Sequence, residues 1–412
     1  MVECWLPYGK TEVYISIPFR NLLGTAEPDR GQPALNPKEI VEESLQNPIN
    51  SKKLSDSVGP GAKVTVAIDG TIAPFLATSA VSGIVETLRQ TEVSSDEITV
   101  LIGNGLRKRS DPDLIRDLQG SEGLQGIRVV EHNRDSSSLT AIGTTSRGTE
   151  VEISSPLASA DVRIVVGEVM LDHFTGFSGA YNTVLPALSS QATIEHNRSL
   201  SFRGEVTPGV CDGNPVHADV LEAAHMAEVD LAVHLVTNCH GELLTACSGD
   251  LEKSWSKAVS DLGDSFRVKA DANADIIVVS AGGSRFDFDL YNSVWALNNM
   301  SGIAKKGATI ILVAECSNGL GADGLTKLSQ VDTLSELRRR YMLGAKAVHL
   351  IKSTLRRNEV ILVSALPSYL VEPLGVSVER TANDALRSVV GKRRGRRTLV
   401  VTHGCSTIPF VG

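Results

Sequence analysis

Nine short apolar runs, each closing on a small or polar residue, constrain the fold more than any other feature of this chain. They are KVTVAIDG, EITVLIGNG, IRVVEH, DVRIVVGE, LAVHLVTN, ADIIVVSAGG, ATIILVAE, EVILVSA and TLVVTHG. Runs apolar on both faces read as buried parallel strands, because a half-wet antiparallel strand would alternate. Between them lie segments of helical period, including ATSAVSGIVETLRQ, HADVLEAAHMAEV and LSELRRRYMLGAKAVHL. Strands alternating with helices predict an α/β architecture built on mainly parallel sheets with flanking helices. At 412 residues the chain exceeds one compact core, which predicts two lobes with a ligand cleft between them. The polar helical stretch at residues 253–275 precedes a fresh series of strands, so the lobes are expected to span 1–268 and 269–412. The last segment is left free to pack back on the first lobe. Ligands of such sheets gather at the carboxyl ends of the strands. That directs attention to Asp69–Thr71, Gly103–Arg107, Glu168–Gly179, Ala281–Arg285 and Thr402–Gly404.

Charge narrows the partners. A net charge of −8 lacks the basic face that nucleic acid or an anionic membrane requires. One basic cluster, Lys392, Arg393, Arg394, Arg396 and Arg397, reads as a solvated turn before a strand. No two of the six cysteines form a C-x-x-C pair, so neither a structural zinc site nor a redox dithiol is signalled. No apolar run reaches signal or membrane-span length, and the expected location is the cytoplasm.

Three strand-to-loop turns could meet an anion: Gly103-Asn104-Gly105, Gly282-Gly283 and Gly176-Phe177-Ser178-Gly179. The first carries two glycines of a dinucleotide fingerprint, but Lys108 takes the third place. It is the only support for a nicotinamide-dependent oxidoreductase. Among the histidines, His225 and His349 fall in helical segments and His234 in a strand, where structural roles are expected. His173 follows a strand end beside a glycine turn, where an imidazole can move a proton near neutral pH. His196 lies on SSQATIEHNRSL, and imidazole ligates nickel, copper or zinc.

In order and spacing, the motifs LPYGK at 6–10, SLQNPINSKKL at 44–54, DGT at 69–71, HFTGFSGAYNTVLP at 173–186, GNPVH at 213–217, SGD at 248–250, AGGSRFDFDLY at 281–291 and TLVVTHG at 398–404 resemble the lactate racemase family. The resemblance covers nearly the whole chain. It implies a nickel pincer nucleotide, a pyridinium mononucleotide whose two thiocarboxyl sulfurs and ring carbon hold nickel. It also implies racemisation or epimerisation of a 2-hydroxy acid. In that chemistry a histidine takes the hydroxyl proton while hydride passes to the cofactor, giving a planar 2-keto acid. On this reading His173 is the acid/base, and Arg107 and Tyr291 orient substrate. Asp69, Thr71, Gly105, Gly176, Ser178, Gly179 and Asn182 contact the cofactor, and His196 binds nickel.

The chain departs from the family at chemically decisive positions. One residue is missing between His173 and Gly176. Asn182 stands where the best-known members tether the cofactor through lysine, so the cofactor is expected to be non-covalent. Arg107 replaces a second acid/base histidine and cannot act as a base. Arg198 replaces the nickel-binding histidine, and His196, two residues earlier, is about 200° away around a helix. Two cations that hold the lactate carboxylate become Ile72 and Trp295, while Arg107, Lys108 and Arg285 are gained, so a hydroxy acid other than lactate is expected. The alternative is a non-catalytic member that binds a nucleotide or small anion without nickel. The expected partner is a small hydroxy-acid substrate, with a homo-oligomer and cofactor-biosynthesis proteins left open.

Overall fold

The computed structural model describes residues 1–105, 107, 110–134, 138–271, 274–390 and 395–411. Lys108 and Lys392–Arg394 therefore lie outside the described residues. The chain begins with strands β1 (Val2–Tyr8) and β2 (Thr11–Ile17), an antiparallel hairpin, followed by β3 (Leu22–Ala26). The next series is β4 (Val64–Asp69), β5 (Ile98–Gly103), β6 (Arg128–Glu131), β7 (Leu139–Thr144), β8 (Glu150–Ser154), β9 (Val162–Val169), β10 (Leu171–Asp172), β11 (Gly176–Phe177), β12 (Leu231–Thr237) and β13 (Leu243–Gly249). The last is β14 (Arg267–Lys269), β15 (Ile276–Ser280), β16 (Thr309–Val313), β17 (Glu359–Val363), β18 (Ser377–Glu379), β19 (Thr398–Val401) and β20 (Ile408–Phe410). All nine apolar runs of the sequence are strands.

Two compact units result, one of residues 30–263 and one of residues 1–29 with 264–412. The sequence reading placed residues 1–29 in the first lobe. They join the C-terminal unit instead, because β3 pairs in parallel with β19, with Gly24 opposite Leu399 and Ala26 opposite Val401. The hairpin also adds Leu6, Ile15 and Ile17 to that unit's core. The final strand β20 pairs with β14 and stays in the same unit.

In the unit of residues 30–263 the sheet order is β13-β12-β9-β4-β5-β6, parallel apart from β13. Read from β6, this is the doubly wound order 3-2-1-4-5-6. The connections diverge between β4 and β9, and a ligand crevice forms outside the carboxyl ends of two such strands. Helix α1 (Pro74–Arg89) starts on a proline suited to a first turn. Its Ala77, Ala80, Val81, Ile84 and Leu88 recur at helical spacing and share a core with Val66, Ile68, Val100 and Val166. Three further helices frame the site: α2 (Gln191–Ser199), α3 (Pro215–Met226) and α4 (Leu251–Leu262).

The other unit carries the all-parallel sheet β18-β17-β16-β15-β19-β3. Helices α5 (Ala345–Leu355) and α6 (Ala382–Val390) flank it, and Ala385, Leu386 and Val389 of α6 join its core. The segment LSELRRRYMLGAKAVHL, read as continuous, breaks after Arg339, and Gly344 at φ 102° caps the start of α5. No helix among the described residues is long and apolar enough to cross a membrane.

Candidate functional site

The topological switch of the first unit sets Asp69, at the end of β4, next to the loop that leaves β9. The Asp69 carboxylate accepts from the Thr71 amide at 2.9 Å and the Thr71 hydroxyl at 2.7 Å. Burial raises its pKa, with Glu168 adding to the rise; the two Thr71 donors and the Arg107 charge only partly oppose it. Arg107 donates to the Gly70 carbonyl at 3.4 Å, and Glu168 accepts the Thr237 hydroxyl. Asp69, Thr71 and Arg107 are thus brought together. The neighbouring Gly103 turn serves packing: a Cβ at Gly103 would lie 2.7 Å from that of Ala187, and the Gly105 N–H donates to the Ala187 carbonyl at 2.9 Å. The dinucleotide-like spacing is accounted for by this close approach.

The loop after β9 folds back as the short pair β10–β11, and Asp172 is its organiser. One oxygen of Asp172 accepts from the Phe174 amide at 2.8 Å, the Thr175 amide at 2.5 Å and the Thr175 hydroxyl at 2.8 Å. Burial alone would raise the Asp172 pKa, but the Arg198 charge, the Thr175 donors and the His173 charge together hold it below the ordinary aspartate value. His173 lies within this turn, part-buried, with both ring nitrogens shielded from solvent. The glycine turn itself is committed inward. Gly176 has φ 84°, and a Cβ there would come within 2.4 Å of the Val210 carbonyl oxygen. The Ser178 hydroxyl donates to the Glu168 carbonyl at 2.6 Å and accepts from the Met170 amide at 3.1 Å. Asn182 accepts the Gly179 N–H at 2.9 Å, and a Cβ at Gly179 would lie 2.6 Å from the Trp255 ring. Gly176, Ser178, Gly179 and Asn182 were assigned to cofactor contact, yet each spends its distinctive property on holding this turn.

His234 explains the tightness from beneath. Its Nδ1 accepts the Ala180 amide at 3.1 Å, which leaves the proton on Nε2, 3.2 Å from the Leu251 carbonyl. Burial pushes its pKa down to about 3, so the ring is neutral, as the structural reading expected. His217, near the start of α3, lies 5.1 Å from Trp255 and 5.4 Å from Tyr181 between ring centroids. Asn214 caps α3 and donates to the Phe174 carbonyl at 2.8 Å, tying that helix to the His173 turn.

Helix α2 turns Arg198 toward this turn and His196 away from it. The Arg198 guanidinium stacks on Phe174 at 4.3 Å from the ring centroid, whereas the His196 ring lies under Gly148 of the β7–β8 hairpin. The rotation of the helix is fixed, because Asn197 between them is locked. Asn197 donates to Asp219 at 2.8 Å, and Asp219 also accepts the hydroxyls of Thr145 at 2.6 Å and Thr149 at 2.7 Å. The side chain brought to this turn is therefore Arg198, and His196 is not brought there. Sequence reasoning missed Asp172, Asp219 and His217. Only Asp172 had a local signal, an aspartate three residues before a threonine, the pattern of a side-chain-capped turn.

In the second unit Tyr291 is buried, and its ring meets Trp295 edge-on at 5.9 Å. The Gly282–Gly283 turn packs under the hairpin tip, with the Ser284 amide donating to the Gly9 carbonyl at 2.8 Å. Arg285 lies near the Phe286 face, 5.6 Å from its centroid. Arg396 and Arg397 behave as the pre-strand turn predicts, and the Arg397 amide donates to Asp275 at 2.9 Å.

Comparison with known proteins places this geometry. The lactate racemase N-terminal domain family matches residues 8–207, and the lactate racemase C-terminal domain family matches residues 269–408. The lactate racemase of Thermoanaerobacterium thermosaccharolyticum is 26% identical over 329 residues, covering 79% of this chain and 77% of that protein. The lactate racemase of Lactiplantibacillus plantarum is 27% identical over 342 residues, covering 82% and 80%. The apoprotein structure of the Thermoanaerobacterium enzyme superposes over 99% of this chain and 100% of its own, with a TM-score of 0.83 at 23% identity. A Thermotoga maritima protein structure follows with a TM-score of 0.68 at 15% identity, covering 92% of this chain and 100% of its own. With both domain families matched along its length, the chain belongs to the lactate racemase family of isomerases.

Proposed function

We propose that this chain is a racemase or epimerase of a 2-hydroxy acid other than lactate. The match to both family domains supports the reaction class. The observation that carries the reading to a site is the placement of Arg107 with Asp69 and Thr71 at the switch point, where β9 leads on to the Asp172-capped turn bearing His173. Arg107 is a permanent cation suited to a carboxylate. His173 is the group that would take and return the substrate hydroxyl proton, while the carbon-bound hydrogen needs a hydride acceptor that the side chains of this protein do not supply. Ile72 and Trp295, at the positions of two lactate-binding cations, are both buried apolar residues, which favours a substrate gripped by other groups.

The family generally uses a nickel-based cofactor, and the resemblance implies the nickel pincer nucleotide. The residues of this chain do not fit it as the resemblance places it. Asn182 has no amine, and its oxygen is taken by Gly179. Arg198 has no lone pair to give a metal. His196 faces the hairpin instead. Any nucleotide bound here lacks the covalent link, and no step is derived through it. Arg198 specifically favours the second reading, a family member that binds an anion without nickel.

Chiral chromatography on a panel of single-enantiomer 2-hydroxy acids separates the two readings, using protein from a host that makes the nickel pincer nucleotide. The expected result is enantiomer exchange with at least one acid, little with lactate, and loss of exchange in a folded His173→Ala variant. No exchange with any acid leaves the binding reading.

A further inference from the structure

We infer that the position on α2 where the resemblance puts a nickel ligand is an oxyanion-binding site, with the Arg198 guanidinium in place of the metal. Arg198 is only 3% exposed. Its Nη1 donates to the Asn197 side-chain oxygen at 3.3 Å, and its plane rests on Phe174. Its Nε is buried and donates to no acceptor among the described residues. The Asp172 carboxylate is close enough to feel the charge and balances part of it, but it takes no hydrogen bond from Arg198; its bonds come from Phe174 and Thr175. A buried guanidinium donor left idle is costly unless an acceptor reaches it, and an oxyanion is the acceptor that a guanidinium fork suits best.

The surroundings are built to keep it there. Asp219, fully buried, fixes Asn197 while gripping Thr145 and Thr149, so the side chain that orients the guanidinium cannot swing. A guanidinium matches the planar, two-oxygen edge of a carboxylate or phosphate and repels a divalent cation. The same group therefore excludes nickel and accepts an oxyanion. The exclusion of nickel uses the family correspondence; the anion site stands on the buried donor alone.

The test uses the full chain purified from a host that makes the nickel pincer nucleotide. Nickel is measured by elemental analysis, and binding of malonate and of inorganic phosphate by calorimetry and thermal shift. The expected result is substoichiometric nickel with saturable binding of at least one anion; the tighter of the two identifies a carboxylate or a phosphate source. Arg198→Met is expected to weaken that anion about tenfold or more. Arg198→Lys, which keeps the charge but not the fork, is expected to fall between and carries the test if the Met variant does not fold. Near-stoichiometric nickel, no binding of either anion, or unchanged affinity in the folded variants overturns the inference. Its failure is distinct from that of the racemase reading: enantiomer exchange with bound nickel sinks the anion site alone, whereas Arg198-dependent anion binding without exchange sinks the racemase reading alone.

Discussion

Arg198 lies with its guanidinium carbon 4.3 Å from the centre of the Phe174 ring, so helix α2 and the turn after β9 meet through a cation on an aromatic face. Phe174 is also a donor to Asp172, whose carboxylate Arg198 helps keep ionised. Turn, carboxylate and helix therefore form one unit, and His173 sits within it. The physical consequence is that substitutions in this unit act on the turn's stability and on Arg198 together.

Asp172→Ala removes one acceptor from three donors and leaves Arg198 without its nearby negative charge. A loss of about 3 kcal/mol is expected in urea unfolding at neutral pH. Asp172→Asn keeps an oxygen for the turn and should lose about half of that. Because the folded pKa of Asp172 is lowered, its charge stabilises the protein above the unfolded aspartate value near 4 and ceases to do so as pH falls through the folded value. The gap between wild type and Asp172→Asn should accordingly close on acidification; a constant gap from pH 7 to pH 2 contradicts the charge argument.

His234 gives a prediction of opposite chemistry. Held neutral with a pKa near 3, it resists protonation that the unfolded chain accepts near 6.5. Wild-type stability should fall by about 1.4 kcal/mol per pH unit from this group between those values, and be unaffected by it above them. His234→Gln, which can offer both an acceptor to Ala180 and a donor to Leu251, should flatten that slope. Equal slopes for the two proteins from pH 6.5 to pH 4 exclude the role.

Why the sequence told so much of the fold and so little of the site follows from the kinds of residue involved. Val66, Val100 and Val166 are buried on a two-sided sheet, and such strands announce themselves as continuous apolar runs. Strand β3, with the sequence LLGTA, is short and contains glycine, and its membership in the C-terminal unit depends on a partner about 375 residues on, Leu399 opposite Gly24. Arg107 and His173 were legible as candidates because they stand just after strand ends. Asp219 was not, because its role comes from two threonines on a hairpin and an asparagine on another helix, a meeting that no local spacing encodes. Ser178 reads as a ligand donor because a hydroxyl beside glycines suits one, and Asn182 because the resemblance puts it at the cofactor's tether; only the positions of Glu168, Met170 and Gly179 show where their bonds go.

Two glycines with similar backbone angles should separate packing from conformational preference. Gly176 and Gly213 have φ of 84° and 72°, but a Cβ meets the Val210 carbonyl oxygen at 2.4 Å in the first case and nothing within 4 Å in the second. Gly213→Ala should cost about 1 kcal/mol, the left-handed backbone penalty alone. Gly176→Ala adds a collision with main chain that cannot move aside cheaply and should cost about 3 kcal/mol or more. Comparable midpoints in urea for the two variants would remove the case that Gly176 is fixed by packing.

Restoring the family's arginine at position 72 should fail for a reason visible in the core. Ile72 is 2% exposed and packs in the cluster that includes Leu76, Val66 and Ile102. Ile72→Arg would place a guanidinium among these side chains, with the nearby Asp69 carboxylate already engaged by Thr71. Burying an unpaired charge costs several kcal/mol, so a loss of about 4 kcal/mol is expected, together with no gain in lactate turnover. Ile72→Met, similar in volume and apolar, should cost less than about 1.5 kcal/mol. A folded Ile72→Arg protein that racemised lactate faster than wild type would show instead that position 72 opens onto substrate.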